Sequence, residues 1–82
     1  MSTRLDVGNI PTTATDKDLE SIFRQFGIVD SVGITKDQVT GLSKGYGFVV
    51  MCNEMDAETA ISRLNFSQYG GRTISVGRSR IR

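Results

Sequence analysis

Two aromatic rings and a lysine alternate with glycine in residues 44–51, whose sequence is Lys-Gly-Tyr-Gly-Phe-Val-Val-Met. If this segment is a β-strand, its side chains point alternately to the two faces of a sheet. Lys44, Tyr46 and Phe48 then share one face, whereas Val49 lies on the opposite face, which we expect to be the core. Outward-facing rings can stack on nucleic-acid bases, and a neighbouring cation can pair with phosphate. The alternative is that the rings reflect only the preference of aromatic residues for strands.

Hydrophobic spacing predicts the elements that position this segment. Leu19, Ile22, Phe23 and Phe26 recur at the i, i+3, i+4, i+7 spacing of an amphipathic helix. The predicted order is a strand over 4–10, a helix beginning after Thr15, strands over 29–35 and 44–51, a helix over 54–65 capped by Asn53, and a strand over 73–77.

Local signals mark the ends of these elements. Thr15 is a good helix N-cap, and Asp18 three residues later gives a weak capping-box match. Gly27 is predicted to end the same helix as its C′ residue. Residues 36–43 form a polar loop in which we expect Gly41 to adopt a left-handed turn conformation.

The order strand, helix, strand, strand, helix, strand predicts an α+β protein. Two right-handed strand-helix-strand crossovers, each of which splits around a strand, give a ferredoxin-like β-α-β-β-α-β sandwich. It has a four-stranded antiparallel sheet and two helices on one face. The opposite face stays open, and Tyr46 and Phe48 lie on it. Six of the nine acids fall in the predicted helices, so we expect the open face to be less negative than its back.

Composition excludes several function classes. The chain has 82 residues, enough for one domain with a modest core. It has one cysteine, Cys52, and no histidine, so we expect no disulfide, no metal site, no cofactor and no enzymatic activity. No apolar run approaches the roughly 18–20 residues of a membrane span, and no signal segment opens the chain. We therefore expect an intracellular protein of the nucleus or cytoplasm, or of an organelle if a presequence has been removed.

Charge is distributed unevenly along the chain. Residues 1–71 hold six Lys or Arg and nine Asp or Glu, whereas residues 72–82 hold four arginines and no acid. A basic end of this kind favours an anionic partner. Arg78, Arg80 and Arg82 alternate as an extended strand would, and we predict that they cross the open face or bind phosphates. The alternative is a solvated tail that aids solubility.

Several segments together resemble an RNA recognition motif over nearly the whole chain. Residues 44–51 resemble the octamer signature of that family, and residues 5–10, Leu-Asp-Val-Gly-Asn-Ile, resemble its hexamer. Residues 37–43 resemble the loop that precedes the octamer. The pattern of the second helix and last strand is also similar, from Ala57 to Val76. These spacings occur in order, so the resemblance is far more specific than any one of them.

The resemblance implies a binding role for particular residues. In that family the open sheet binds two or three stacked bases of single-stranded RNA. Lys44 would then contact phosphate, Phe48 would stack on a base or sugar, and Tyr46 would stack or contact a sugar. Lys36 is a further candidate for phosphate contact. Phe66 occupies a position where the family usually has glycine, and we expect it to pack with Tyr69 over the second helix.

Asp6 departs from the family pattern, because the hexamer usually carries an aromatic residue there. We expect the antiparallel arrangement of the two strands to place Asp6 near Tyr46 and Phe48, on the same face. The loss of one stacking platform forfeits about 1–3 kcal/mol per base, and a carboxylate also repels phosphate. Two compensating roles are open: Asp6 can accept a hydrogen bond from an exocyclic base amine, or it can hold a nearby arginine. Arg4 shares its strand face, and we expect Arg4 to pair with Asp6 or with phosphate.

The function that the sequence favours is single-stranded RNA binding on the open sheet, in post-transcriptional RNA metabolism. We expect a monomer made of one RNA recognition motif domain over residues 1–82, with a basic C-terminal end at 78–82. The alternative is a protein-interaction module that has kept the fold and lost RNA binding, with Asp6 as the mark of that change. A hydrolase on this fold would need an anion-binding loop with an arginine after the first strand, and residues 8–16 contain none.

Overall fold

The computed structural model describes residues 2–80 and shows a four-stranded antiparallel sheet with two helices. The elements are β1 (Thr3–Gly8), α1 (Asp16–Arg24), β2 (Val29–Lys36), β3 (Ser43–Met51), α2 (Glu54–Leu64), β4 (Gln68–Tyr69), β5 (Arg72–Thr73) and β6 (Ser75–Arg78). The sheet order is β2-β3-β1-β6, so the two crossovers place β1 and β3 in the centre. The predicted fold class is confirmed. The short hairpin of β4 and β5 is an addition, because the sequence predicted only a loop there.

The core lies between the sheet and the helices. On the central strands, Leu5 and Val7 of β1 and Val49 and Met51 of β3 are buried, as their alternation predicts. Helix α1 contributes Leu19 and Phe23, helix α2 contributes Ala57 and Ala60, and Ile10, Ile34, Ile74 and Val76 complete the buried set. Both helices therefore cover the same face, and the other face of the sheet remains uncovered.

Helix α1 begins with a complete capping box, stronger than the sequence match indicated. The Thr15 hydroxyl accepts a hydrogen bond from the Asp18 N–H at 3.1 Å, and the Asp18 carboxylate accepts one from the Thr15 N–H at 3.0 Å. The helix ends at Arg24, with Gln25 as its C-cap. The prediction that Gly27 is the C′ residue is wrong by one position, because the last turn tightens when the Phe26 N–H donates to the Phe23 carbonyl at 3.0 Å.

Helix α2 is capped at both ends, and its C-cap also contacts the sheet. Asn53 is its N-cap, as predicted, and accepts from the Met55 N–H at 2.8 Å. Asn65 is the C-cap, and its side-chain oxygen accepts from the Val76 N–H of β6 at 3.0 Å. These contacts fix the helix over the last strand.

The segment after α2 differs from the prediction. Tyr69 packs against the core, as expected, but the Phe66 side chain is 77% exposed and lies outside the buried cluster. Phe66 has a φ of 68°, a left-handed conformation that L-residues with a bulky side chain rarely adopt. The predicted packing of Phe66 with Tyr69 is therefore wrong, because the left-handed turn directs the Phe66 side chain into solvent.

Candidate nucleic-acid interface

The uncovered sheet face presents its side chains in rows that cross the strands. The central row joins Gly33 of β2, Phe48 of β3, Asp6 of β1 and Gly77 of β6. The ring of Phe48 and the carboxylate of Asp6 are thus the two side chains of this row, with a glycine on either side. The prediction that Asp6 lies beside the aromatic pair is confirmed by the register.

Phe48 owes its position to the glycine next to it. A Cβ atom on Gly33 would come within 2.7 Å of Phe48 Cε1 and 3.1 Å of Cζ, so the ring extends over β2 in the space that Gly33 leaves. The Phe48 ring also contacts Arg4, whose guanidinium carbon is 4.5 Å from the ring centroid, a cation–π distance. The ring is half-buried as a result.

Tyr46 lies one row further along the same face, opposite Gly8 of β1, and its side chain is 48% exposed. A depression on this face is lined by Arg4, Asp6, Thr35, Tyr46, Phe48 and Ser75 among others. Both rings of the octamer-like segment therefore border one concave surface. The depression offers π-faces, hydroxyl groups, a guanidinium and a carboxylate to a ligand.

A bulge interrupts β3 before Tyr46. The register with β2 passes from Ile34 opposite Gly47 to Lys36 opposite Ser43, so β3 uses two more residues than β2 over this interval. Gly45 has a φ of 82°, and its carbonyl accepts from the Ile10 N–H at 2.8 Å. An excess of two residues preserves the parity of positions 44 and 46, and the placement of Lys44 on the face of Tyr46 stays a prediction.

Arg4 and Asp6 lie together, as one of the two sequence hypotheses predicted. Arg4 Nε is 3.9 Å from Asp6 Oδ1, a loose ion pair whose side chains are 43% and 51% exposed. At this exposure the pair adds little to stability. Its importance is positional, since the same guanidinium lies over Phe48.

The β2–β3 loop carries the two lysines of the candidate site at its ends. Lys36 ends β2, Lys44 follows the first residue of β3, and both are exposed. The loop is ordered by Asp37, which accepts from the Thr40 N–H at 3.0 Å and the Val39 N–H at 2.8 Å. These two hydrogen bonds lower the pKa of Asp37, and the bond from the Thr40 N–H has the larger effect.

Gly41 in this loop has the predicted left-handed conformation, with a φ of 76°. Val39 and Leu42 are exposed apolar residues beside it. Neither residue was predicted to be an exposed apolar side chain, although an apolar residue between polar neighbours in a loop was a signal for it.

The arginines of the C-terminal end do not share one location. Arg78 lies on the helix side of the sheet, where its Nη2 is 2.9 Å from Glu54 Oε2 and 3.1 Å from Glu58 Oε1. Hydrogen bonds to Glu58 and then Glu54 raise the pKa of Arg78. The prediction that Arg78 crosses the open face is wrong. Arg78 lies two residues after the buried Val76 on β6, so its side chain lies on the same, helix-covered face.

Arg80 is exposed beyond the end of β6. Arg82 lies outside the described residues, so its predicted contact stays a prediction. Within residues 2–80, no group of three or more Cys, Asp or Glu side chains could hold a metal ion. No helix in that range is long and apolar enough to cross a membrane.

The strand order, the antiparallel registers and the ring pair on the uncovered face define a β-α-β-β-α-β domain with a sheet-face binding surface. The sequence model of the RNA recognition motif matches residues 5–75, and the chain belongs to that family. The resemblance stated from the hexamer-like and octamer-like segments is thereby confirmed.

Relatives of known name are similar to most of this chain. It is 47% identical over 73 residues to RNA-binding protein CP33, chloroplastic, of Arabidopsis thaliana, a match that covers 89% of this chain and 22% of that protein. It is 44% identical over 73 residues to the 33 kDa ribonucleoprotein, chloroplastic, of Nicotiana sylvestris, again covering 89% and 22%. The chain thus spans about a fifth of the length of these relatives.

Solved structures are similar over the whole fold. The crystal structure of RNA Binding Protein PG1 superposes with a TM-score of 0.94 at 35% identity, covering 98% of this chain and 96% of that one. The Sxl-lethal protein/RNA complex gives a TM-score of 0.92 at 35% identity, covering 98% and 48%. Both likenesses agree with the observed sheet order.

Proposed function

We propose that this chain binds single-stranded RNA on the uncovered sheet face. The observation that carries the proposal is the placement of Phe48 and Tyr46 on that face around one depression, with Arg4 beside them. Membership of the RNA recognition motif family supports it, as do the printed names of the relatives and the RNA complex among the similar structures. Stacking on such rings is the common mode by which these folds hold unpaired bases.

Each candidate residue has a distinct role in this proposal. Phe48 stacks on one base, and Tyr46 stacks on the next nucleotide or contacts its sugar. Lys44 and Lys36 contact phosphates at the loop end of the site, and Arg80 contacts phosphate beyond β6. Arg78 takes no part, because its guanidinium is paired with α2.

The wider biological role follows from the relatives and is part of the proposal. Their names describe chloroplast ribonucleoproteins, which supports a role in post-transcriptional RNA processing and favours the organelle among the expected intracellular compartments. We propose a monomeric, non-enzymatic module in which residues 1–82 act as one RNA recognition motif with a basic end at 78–82.

The test is removal of both rings. In Tyr46→Ala/Phe48→Ala, affinity for short single-stranded RNA oligomers should fall at least about tenfold, because each stacked base contributes about 1–3 kcal/mol. Fluorescence anisotropy gives the affinity, and circular dichroism checks the fold. The matched control is Phe66→Ala, which removes an exposed ring after α2 and should leave affinity unchanged.

A randomised oligomer pool at low salt decides between the two functions that the sequence left open. If no oligomer binds the unmodified protein, RNA binding is excluded and the fold serves a protein partner. If RNA binds, log affinity should fall with log salt by about 0.7 per phosphate neutralised. Lys44→Gln and Lys36→Gln should each reduce that slope, which identifies them as phosphate contacts.

A further inference from the structure

Asp6 occupies the centre of the candidate site with most of its acceptor capacity unused. Within residues 2–80 its carboxylate accepts no hydrogen bond, and its one partner is the Arg4 guanidinium, 3.9 Å away from Oδ1. A carboxylate has about four acceptor positions and no donor. This side chain is therefore free to accept hydrogen bonds from a ligand.

The space around Asp6 is open on the side away from Phe48. The neighbouring residue on β6 is Gly77, and a Cβ atom built there would meet no atom within 4 Å. On the other side, the Phe48 ring extends towards β2 because Gly33 has no side chain. The row thus leaves room for the edge of a base beside the carboxylate.

Asp6 and Phe48 are directly opposite each other on antiparallel strands. Cβ atoms at such positions are about 4.5–5.5 Å apart, so a base stacked on Phe48 brings one edge within reach of the Asp6 oxygens. We propose that Asp6 selects, for the nucleotide on Phe48, a base that carries an exocyclic amine. This inference rests on the proposed function, since it concerns the ligand of the same surface.

The selectivity follows from donor and acceptor chemistry. Adenine, cytosine and guanine each present an amine that can donate to a carboxylate, as Asp accepts from cytosine N4. Uracil presents one N–H between two carbonyl oxygens, and those oxygens repel the carboxylate. A hydrogen bond to a charged acceptor is strong enough for about a tenfold preference.

The experiment compares two RNA oligomers that differ by the amine alone. Fluorescence anisotropy measures the affinity of the protein for an adenosine octamer and for an octamer of purine riboside, which lacks the exocyclic amine. We expect the unmodified protein to prefer adenosine about tenfold. In Asp6→Ala the ratio should fall towards one, because the methyl group offers no acceptor to the exocyclic amine.

A matched control separates this local effect from total charge. Glu20→Gln removes the same charge from α1, on the covered side of the sheet, and should keep the tenfold ratio. An unmodified protein that binds both octamers equally would overturn the inference and leave RNA binding intact. If neither octamer nor any pool oligomer binds, the inference and the proposed function are both overturned.

A variant at Arg4 completes the experiment, since Asp6 could instead act by holding the Arg4 guanidinium on Phe48. In Arg4→Ala, a preserved preference for adenosine assigns the selection to Asp6 itself. A ratio that collapses in Arg4→Ala as it does in Asp6→Ala would overturn direct recognition and assign Asp6 a positioning role.

Discussion

The ring of Phe48 lies over Gly33, where a Cβ atom would come within 2.7 Å of Phe48 Cε1. The two residues are paired on β3 and β2, and the Arg4 guanidinium contacts the same ring from β1. The stacking surface therefore depends on a residue with no side chain. A change at Gly33 should act on RNA binding by displacing the Phe48 ring, although Gly33 itself offers no side chain to the RNA.

Gly33→Ala tests this dependence. The added methyl group meets only the far end of the half-buried Phe48 side chain and no backbone atom, so the free energy of unfolding should change by less than about 1 kcal/mol. Oligomer affinity should nevertheless fall about three- to tenfold, because the displaced ring stacks less well. Anisotropy and urea unfolding provide the two measurements. Gly77→Ala, in the same row but with open space around it, should leave the Phe48 ring proton shifts unchanged.

The order of the β2–β3 loop should depend on pH through Asp37. Hydrogen bonds to the ionised carboxylate lower its folded-state pKa below the ordinary 3.8. A depressed pKa means that the stabilising contribution is present above pH 3.8 and is lost as the pH falls through the lower folded value. The amide shifts of Val39 and Thr40 should therefore titrate below pH 3.8. Asp37→Asn keeps the acceptor oxygen and should abolish this titration; a midpoint above 3.8 would contradict the assignment.

Phe66→Gly should stabilise the protein. The left-handed backbone at Phe66 costs a bulky residue about 1–2 kcal/mol, and the exposed ring contributes no core packing. After the entropy cost of glycine, we expect a gain of about 1 kcal/mol, which for a domain of this size raises Tm by about 4–8 °C. Thermal unfolding measures the shift. Phe66→Ala retains the strained conformation and should change Tm little, whereas a lower Tm in Phe66→Gly would show that the ring packs.

Arg78→Gln should affect stability and leave RNA binding nearly unchanged. Loss of the contacts with Glu54 and Glu58 should lower the urea midpoint at low salt, and the difference should shrink at about 1 M salt because exposed ion pairs are screened. Glu58→Gln added to this variant should lower the midpoint little further. Oligomer affinity should change less than about twofold. A loss as large as that of Lys44→Gln would return Arg78 to the RNA-binding set.

Most of the fold could be predicted because the periodicity of the apolar residues and the order of the helices and strands determine it. The apolar positions of α1, the alternation around Val49 and the caps at Thr15 and Asn53 are local signals, and each predicted its element. The position of Asp6 near Tyr46 and Phe48 also followed from element order, whereas its exact pairing with Phe48 came from the structure. These features depend on short stretches of sequence that agree with one another.

The failures have two physical causes, which are long-range contacts and local backbone conformation. Arg78 continues a basic alternation in the sequence, but two glutamates on α2 bind it behind the sheet. The predicted packing of Phe66 failed because its backbone is left-handed, which its residue type does not indicate. Gly33 went unnoticed because its role is visible only when the ring of another strand lies over it.

Asp6→Tyr should restore a third ring to the open face. Generic RNA affinity, measured with a uridine octamer, should rise about tenfold, because one stacked base contributes about 1–3 kcal/mol and a repulsive carboxylate is removed. The preference for adenosine over purine riboside should disappear in the same variant. A weaker affinity for every oligomer would mean that the aspartate itself makes the main contact with RNA.

The glycines on either side of the Phe48–Asp6 row have a consequence for how this surface can evolve. Gly77 leaves open space next to Asp6, so a ring at position 6 would need no second substitution to make room for it. In the genetic code, an aspartate codon becomes a tyrosine codon by a single base change. If Asp6 selects its base as proposed, one mutational step would thus exchange a selective binding surface for one that binds RNA more tightly and less selectively.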